Sequence, residues 1–245
     1  MKKAVLVPDS FKGTLSAKEV SSIMKEAILE KFKSCEVEAL PIADGGEGTV
    51  DCFISYLGFK RVDCRVVNHQ GEALNTYYAF KGDEVVIEIA LAAGITLTDS
   101  LKPYTASSYG VGLMIADAIK RLHPKRIYLT LGGSATNDLG LGMLRALGVE
   151  FYHDGIKFIP NPLTIDSITS IKSAVCDDII YGTEFICMTD VTNPLYGPMG
   201  ATNIFGPQKG IKKEDINKID KGFRHFSELV RLRLGKDYSF CKGVG

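Results

Sequence analysis

The sequence carries no net charge, because 29 Lys and Arg residues balance 29 Asp and Glu. A nucleic-acid binder ordinarily shows a basic excess or a clustered basic face, and neither is present. Long apolar runs are missing as well. The longest candidate, Val85 to Leu97, is broken by Glu88 and Gly94 and falls short of the roughly 18 residues a membrane span needs. After two lysines the first apolar stretch runs only from Ala4 to Pro8, too short for a signal-peptide core. The six cysteines (Cys35, Cys52, Cys64, Cys176, Cys187, Cys241) form no CxxC pair and have no histidine at zinc-ligand spacing. These absences predict reduced thiols in a cytoplasmic protein, with no membrane, nucleic-acid or structural zinc partner. Also missing are the GxxxxGK[ST] phosphate loop, the HRD and DFG kinase signatures, the GxSxG elbow and HExxH.

What is present is an ordinary globular composition, 45% hydrophobic and 24% charged over 245 residues, enough for a substantial core. A strand at Ala4–Pro8 leads through a turn to a helix from about Ser16, where Ser16 and Glu19 have capping-box spacing. Val20, Ile23, Met24, Ala27, Ile28 and Phe32 then recur at helical steps. A second strand over Glu36–Leu40 precedes a glycine-rich turn, Ala43–Thr49, into a second helix. From Arg61 the pattern changes to consecutive strands, 61–67, 75–80 and 84–89, whose short polar turns predict antiparallel pairing. A helix over 111–122, a strand over 126–131, a helix from near Asp138 through Leu147, a strand over 184–188 and a helix from Lys213 complete an α/β alternation. His69, His123, His153 and His225 fall outside the loops described next and read as core or surface residues.

Four loops carry the candidate chemistry. The first, Asp9-Ser10-Phe11-Lys12-Gly13, offers a carboxylate, a hydroxyl and an ammonium ahead of a helix N-terminus; the same residues would also serve a plain turn. In the second, Asp44-Gly45-Gly46-Glu47-Gly48-Thr49, the glycines allow close backbone approach, while the acids require a magnesium bridge if a phosphate is to bind. A tight strand-to-helix turn is the alternative use, but glycine and acid packed this densely favour a functional loop. The third, Gly132-Gly133-Ser134-Ala135-Thr136-Asn137-Asp138, supplies N–H groups, hydroxyls and an amide after a strand. Gly140 and Gly142 lie inside the expected helix, at a cost of about 1 kcal/mol each relative to alanine, so close packing or a ligand requires them. The fourth starts at Asp190, at a strand's carboxyl end where open α/β sheets place ligands. It continues through Asn193 to Lys209.

In order and wording these loops resemble one family. PDSFKGTLSA, ADGGEGT, GGSATND and DVTNPLYGPMGATNIFGPQKG, with IEIALAAGI and SSYGVG between them, are similar to the bacterial glycerate kinases over essentially the whole chain. The resemblance implies ATP-dependent phosphorylation of D-glycerate on its 2-hydroxyl. It also implies two α/β domains: a Rossmann-like domain assembled from both chain ends, of which residues 1–60 form the first part, and a mixed α/β domain inserted over 61–245. Family members continue past Gly245 into a later TGEGxxD-type motif, so the Rossmann-like part is expected to be incomplete. Its first β-α-β unit is then expected to lack sheet neighbours and to expose apolar surface. For ATP and Mg2+ chemistry we expect Asp44, Asp190 and Lys12 to be catalytic, with Asp44 and Asp190 as alternative magnesium ligands or hydroxyl-orienting groups. Ser10, Gly45, Gly46, Gly48, Gly132, Gly133, Ser134, Thr136, Asn137, Asn193 and Lys209 are the expected substrate- and phosphate-binding set. A non-catalytic binder of a small acid or nucleotide, or a kinase for another hydroxy acid, would use the same loops.

Overall fold

The computed structural model describes residues 2–11, 14–40 and 42–245; Lys12 and Gly13, expected in the first loop, lie outside them. Strand β1 (Lys3–Leu6) pairs in parallel with β2 (Glu36–Ala39) across helix α1 (Ala17–Lys31). The capping box forms as its spacing predicts: the Ser16 hydroxyl accepts from the Glu19 N–H at 3.2 Å, and the Glu19 carboxylate accepts from the Ser16 N–H at 2.7 Å. Of the apolar stripe on α1, Val20 is buried, whereas Ile23 and Met24 are exposed. Val5 and Val7 are about half exposed, at 53% and 50%. The unit has two strands and leaves part of its apolar surface exposed.

The main sheet is separate. Helix α2 (Thr49–Leu57) leads into strands β3 (Lys60–Val67), β4 (Ala73–Lys81) and β5 (Glu84–Glu88), which pair antiparallel in sequence. A short helix α3 (Ala90–Ala93) and helix α4 (Tyr109–Leu122) follow, then β6 (Arg126–Thr130), which lies parallel to β5. Alternation along β5 explains why both faces of the sheet are covered. Val85 and Ile87 join the core cluster that includes Val111, Met114, Ile115 and Ala118 of α4. Val86, on the opposite face, packs in a second cluster with Val50, Phe53 and Ile54 of α2. Burying both faces turns the strand into a near-continuous apolar run, with polar residues confined to its ends.

After β6 the expected helix from Asp138 is shorter than its sequence suggested. Helix α5 spans Leu141–Ala146, and Gly140 precedes it with φ of +69°, a left-handed conformation that favours glycine. Gly142 sits inside α5 because a Cβ there would lie 2.2 Å from Ser107 Oγ and 2.7 Å from the Tyr109 nitrogen. Close packing on the head of α4 is therefore what requires it. Strands β7 (Glu150–His153), β8 (Ile156–Phe158) and β9 (Ser170–Lys172) form a small antiparallel sheet that the sequence did not suggest. Helix α6 (Ala174–Ile180) leads to β10 (Glu184–Met188), parallel to β6 and at the edge of the five-stranded order β10-β6-β5-β4-β3. Helices α7 (Ala201–Phe205) and α8 (Lys213–Leu234) end the chain's regular structure, with Ile219, Phe223 and Phe226 of α8 buried as their spacing predicts. The fold is mixed α/β.

Candidate active site

The three parallel strands finish in step. Glu88 and Met188 both pair with Thr130, so the segments after β5, β6 and β10 leave the sheet along one edge. That is where parallel α/β sheets bind ligands. A cleft of about 1100 Å³ opens there, lined by Asp44, the 132–134 backbone, Thr136, Asn137, Asp190 and Lys209.

The glycines of the second and third loops meet backbone to backbone. The Gly132 N–H donates to the Gly45 carbonyl at 3.1 Å, and a Cβ on Gly132 would fall 2.6 Å from Gly46 Cα. In the second loop several N–H groups are taken up by carboxylates of the protein itself. Gly46 donates to Asp44 Oδ1 at 3.0 Å, and Gly48 and Val50 each donate to the Glu88 carboxylate at 3.1 Å. These glycines bring the loop onto its neighbour, which leaves the Asp44 side chain as the group it presents to the cleft.

The third loop is stapled to the end of α3 and the segment after it: Ile95 donates to the Gly133 carbonyl and Ala135 to the Ala93 carbonyl. The N–H groups of Gly133 and Ser134 have no hydrogen-bond partner among the described residues. Lys209 reaches this loop from beyond α7, donating to Ser134 Oγ at 2.9 Å and to the Thr136 carbonyl at 2.6 Å. An ammonium has three donors, so one remains. Burial pulls the Lys209 amine down to about 8, against an upward pull from Asp138. Asn137 is partly committed, since its Nδ2 donates to Thr202 Oγ1 at 3.1 Å. Asp138 reaches across two helix heads: it accepts from the Ser108 N–H and hydroxyl at 2.8 and 2.9 Å, and from Gly140 and Gly142. It joins the heads of α4 and α5 under the cleft.

Asp190 is exposed on the cleft wall, while Asn193 stands outside the lining and donates to the Met199 carbonyl at 2.8 Å. Ser10 is also outside the lining; its N–H donates to Asp9 Oδ1 at 2.7 Å. Sequence reasoning missed Glu88 as a site residue, because it enters the sequence as an interruption of an apolar strand. The signal was present: an acid at the carboxyl end of a strand buried on both faces.

The donor set suits a nucleotide phosphate with Mg2+. Two carboxylates, an ammonium and unpartnered N–H groups share one cleft. No cluster of three metal-ligating side chains occurs among the described residues, and Mg2+ held by one or two carboxylates together with phosphate oxygens needs none.

The sequence pattern of the Glycerate kinase family matches residues 4–245. The chain belongs to the glycerate kinase family. It is 33% identical to the glycerate kinase of Bacillus subtilis (strain 168) and 34% identical to the glycerate 2-kinase of Escherichia coli (strain K12), over 99% of this chain in each case. It spans 65% of the length of these curated glycerate kinases. A crystal structure from Salmonella typhimurium LT2, assigned provisionally as glycerate kinase 2, superposes with a TM-score of 0.82 at 32% identity, covering 100% of this chain and 66% of that one. No helix among the described residues is long and apolar enough to cross a membrane.

Proposed function

We propose that the protein transfers the γ-phosphoryl group of ATP to D-glycerate, on the 2-hydroxyl, in the cytoplasm. The observation that carries this reading is the convergence of Asp44, Asp190, Lys209 and the 132–134 backbone on one cleft, in a chain of this family. Phosphoryl transfer is chiefly positioning and charge neutralisation, and each group has a part in that. Lys209 and the N–H groups of Gly133 and Ser134 hold anionic oxygens. One carboxylate of the pair Asp44 and Asp190 accepts the proton of the attacking hydroxyl, and the other holds Mg2+. A bound Mg2+ would supply charge neutralisation at the phosphate, held by whichever of the two carboxylates is not the base. Lys12 and Ser10 would act from the first loop.

In the same reading, residues 1–60 are the first part of a Rossmann-like domain and 61–245 the inserted mixed α/β domain. Support comes from the separate two-stranded sheet of β1 and β2, with α2 as the joint, since it packs on the larger sheet.

The test is ADP release by the purified chain with Mg-ATP, with and without D-glycerate. Glycerate-dependent ADP is expected, and Asp44→Asn and Asp190→Asn should each reduce turnover by about 10²-fold or more. A folded chain that binds ATP by calorimetry and yields no glycerate-dependent ADP would make this a binding protein instead.

A further inference from the structure

We infer that Glu88 is a positioning residue: its buried carboxylate clamps the second loop and thereby holds Asp44 in register with the 132–134 backbone. The inference rests on the kinase reading for its kinetic consequence alone.

The geometry has three parts. First, Glu88 lies on the α2 face of β5, two residues from Val86, at the last position of the strand, and is 1% exposed. Second, its two carboxylate oxygens accept separately, Oε1 from Gly48 and Oε2 from Val50, both at 3.1 Å. Helix α2 starts after Gly48 in a left-handed conformation and has no side-chain cap of its own, so a residue 40 positions away takes the place of a local cap. Third, the clamped loop carries Gly45 and Gly46, which dock on Gly132. Asp44 is held to that docked backbone through Gly46.

The charged and titratable groups facing Glu88 are Glu47 in the loop, Asp51 and Cys52 on α2, and Tyr77 on β4. Burial pushes the Glu88 carboxyl up to about 7, with Asp51 and Glu47 adding repulsion while the two N–H donors oppose it. Its protonation would remove one acceptor from the clamp.

The experiment compares the wild-type chain with Glu88→Gln, whose amide can accept from only one of the two N–H groups. Amide NMR should show Gly48 and Val50 shifted and hydrogen exchange at Gly132 about tenfold faster, with the melting transition retained. Unchanged exchange at Gly132 would overturn the inference and reduce Glu88 to a cap for α2. Should the variant not fold, the wild-type chain is titrated from pH 8 to 6: Gly48, Val50 and Gly132 amide shifts should follow one midpoint near 7, and a silent Gly132 would overturn the inference. In the ADP assay the variant should lose about tenfold to a hundredfold in kcat, keep both KM values within about twofold, and lose the wild-type acid limb near pH 7. A raised KM at unchanged kcat would count against it. An inactive wild-type chain would count against the kinase reading, and the amide measurements would still decide the role of Glu88.

Discussion

Gly132 and Gly46 touch through their backbones, and a methyl group on Gly132 would fall 2.6 Å from Gly46 Cα. Because the obstructing atoms are main chain, they cannot rotate away. Gly132→Ala must part the two loops, and overpacking of this kind costs about 1–3 kcal/mol. We expect a lower melting temperature by calorimetry, together with weaker binding of Mg-ATP by titration. Equal affinity at reduced stability would show that the loop contact serves folding alone.

Lys209 gives the cleft a pH limit. Its amine is pulled down to about 8 by burial, so anion affinity should fall as pH rises through that value. The folding contribution has the opposite sign. Between about 8 and the ordinary lysine value near 10.5, the unfolded chain binds the extra proton, so stability attributable to this group rises with pH. Isothermal titration of ATP from pH 7 to 9.5 should show the decline. Lys209→Met should abolish that pH dependence and weaken binding by about tenfold or more.

Asp138 supports both the scaffold and that amine. Asp138→Asn turns an acceptor-only group into one whose amide confronts N–H donors, with an expected loss of about 3 kcal/mol in urea unfolding. It should also move the alkaline decline of ATP affinity to lower pH, since the aspartate charge raises the Lys209 pKa. A lost scaffold with an unmoved pH limit would separate the two roles.

His69 has 1% exposure and no hydrogen-bond partner on either ring nitrogen. Burial lowers its pKa, against an upward pull from Glu72. Below the ordinary imidazole value near 6.5 the unfolded chain therefore binds more protons, and stability should fall as the pH drops. His69→Leu should flatten that acid slope in urea melts between pH 7 and 5. An unchanged slope would assign it to other groups.

What the sequence revealed depended on how local each cause was. The box of Ser16 and Glu19 and the spacing of Ile219, Phe223 and Phe226 act within one helix, and both formed as expected. Strands β7, β8 and β9 are three or four residues long and alternate too weakly to stand out from loop. The length of α5 was misjudged because the carboxylate of Asp138 spans two helix heads, a relation between residues 30 positions apart. Glu88 escaped notice for the same reason. A charged residue ending an apolar strand has no visible partner until the fold brings Gly48 beside it. The four loops were legible as chemistry, but which loop holds a ligand and which one braces its neighbour is decided by backbone contacts that no spacing encodes.

The common finishing edge of β5, β6 and β10 also bears on how the chain acquires its cleft. The lining comes from segments around residues 44, 132 and 190 that are distant along the chain, and β10 is the last strand to join the sheet in sequence order. Until that strand pairs, the pocket has no far wall, so non-local closure must precede recognition. A molecule that binds only where all three segments are assembled has no affinity for the unfolded chain. It would therefore protect the protein against global unfolding by RT ln(1 + [L]/Kd), and protection by nucleotide would serve as an assay for completed folding.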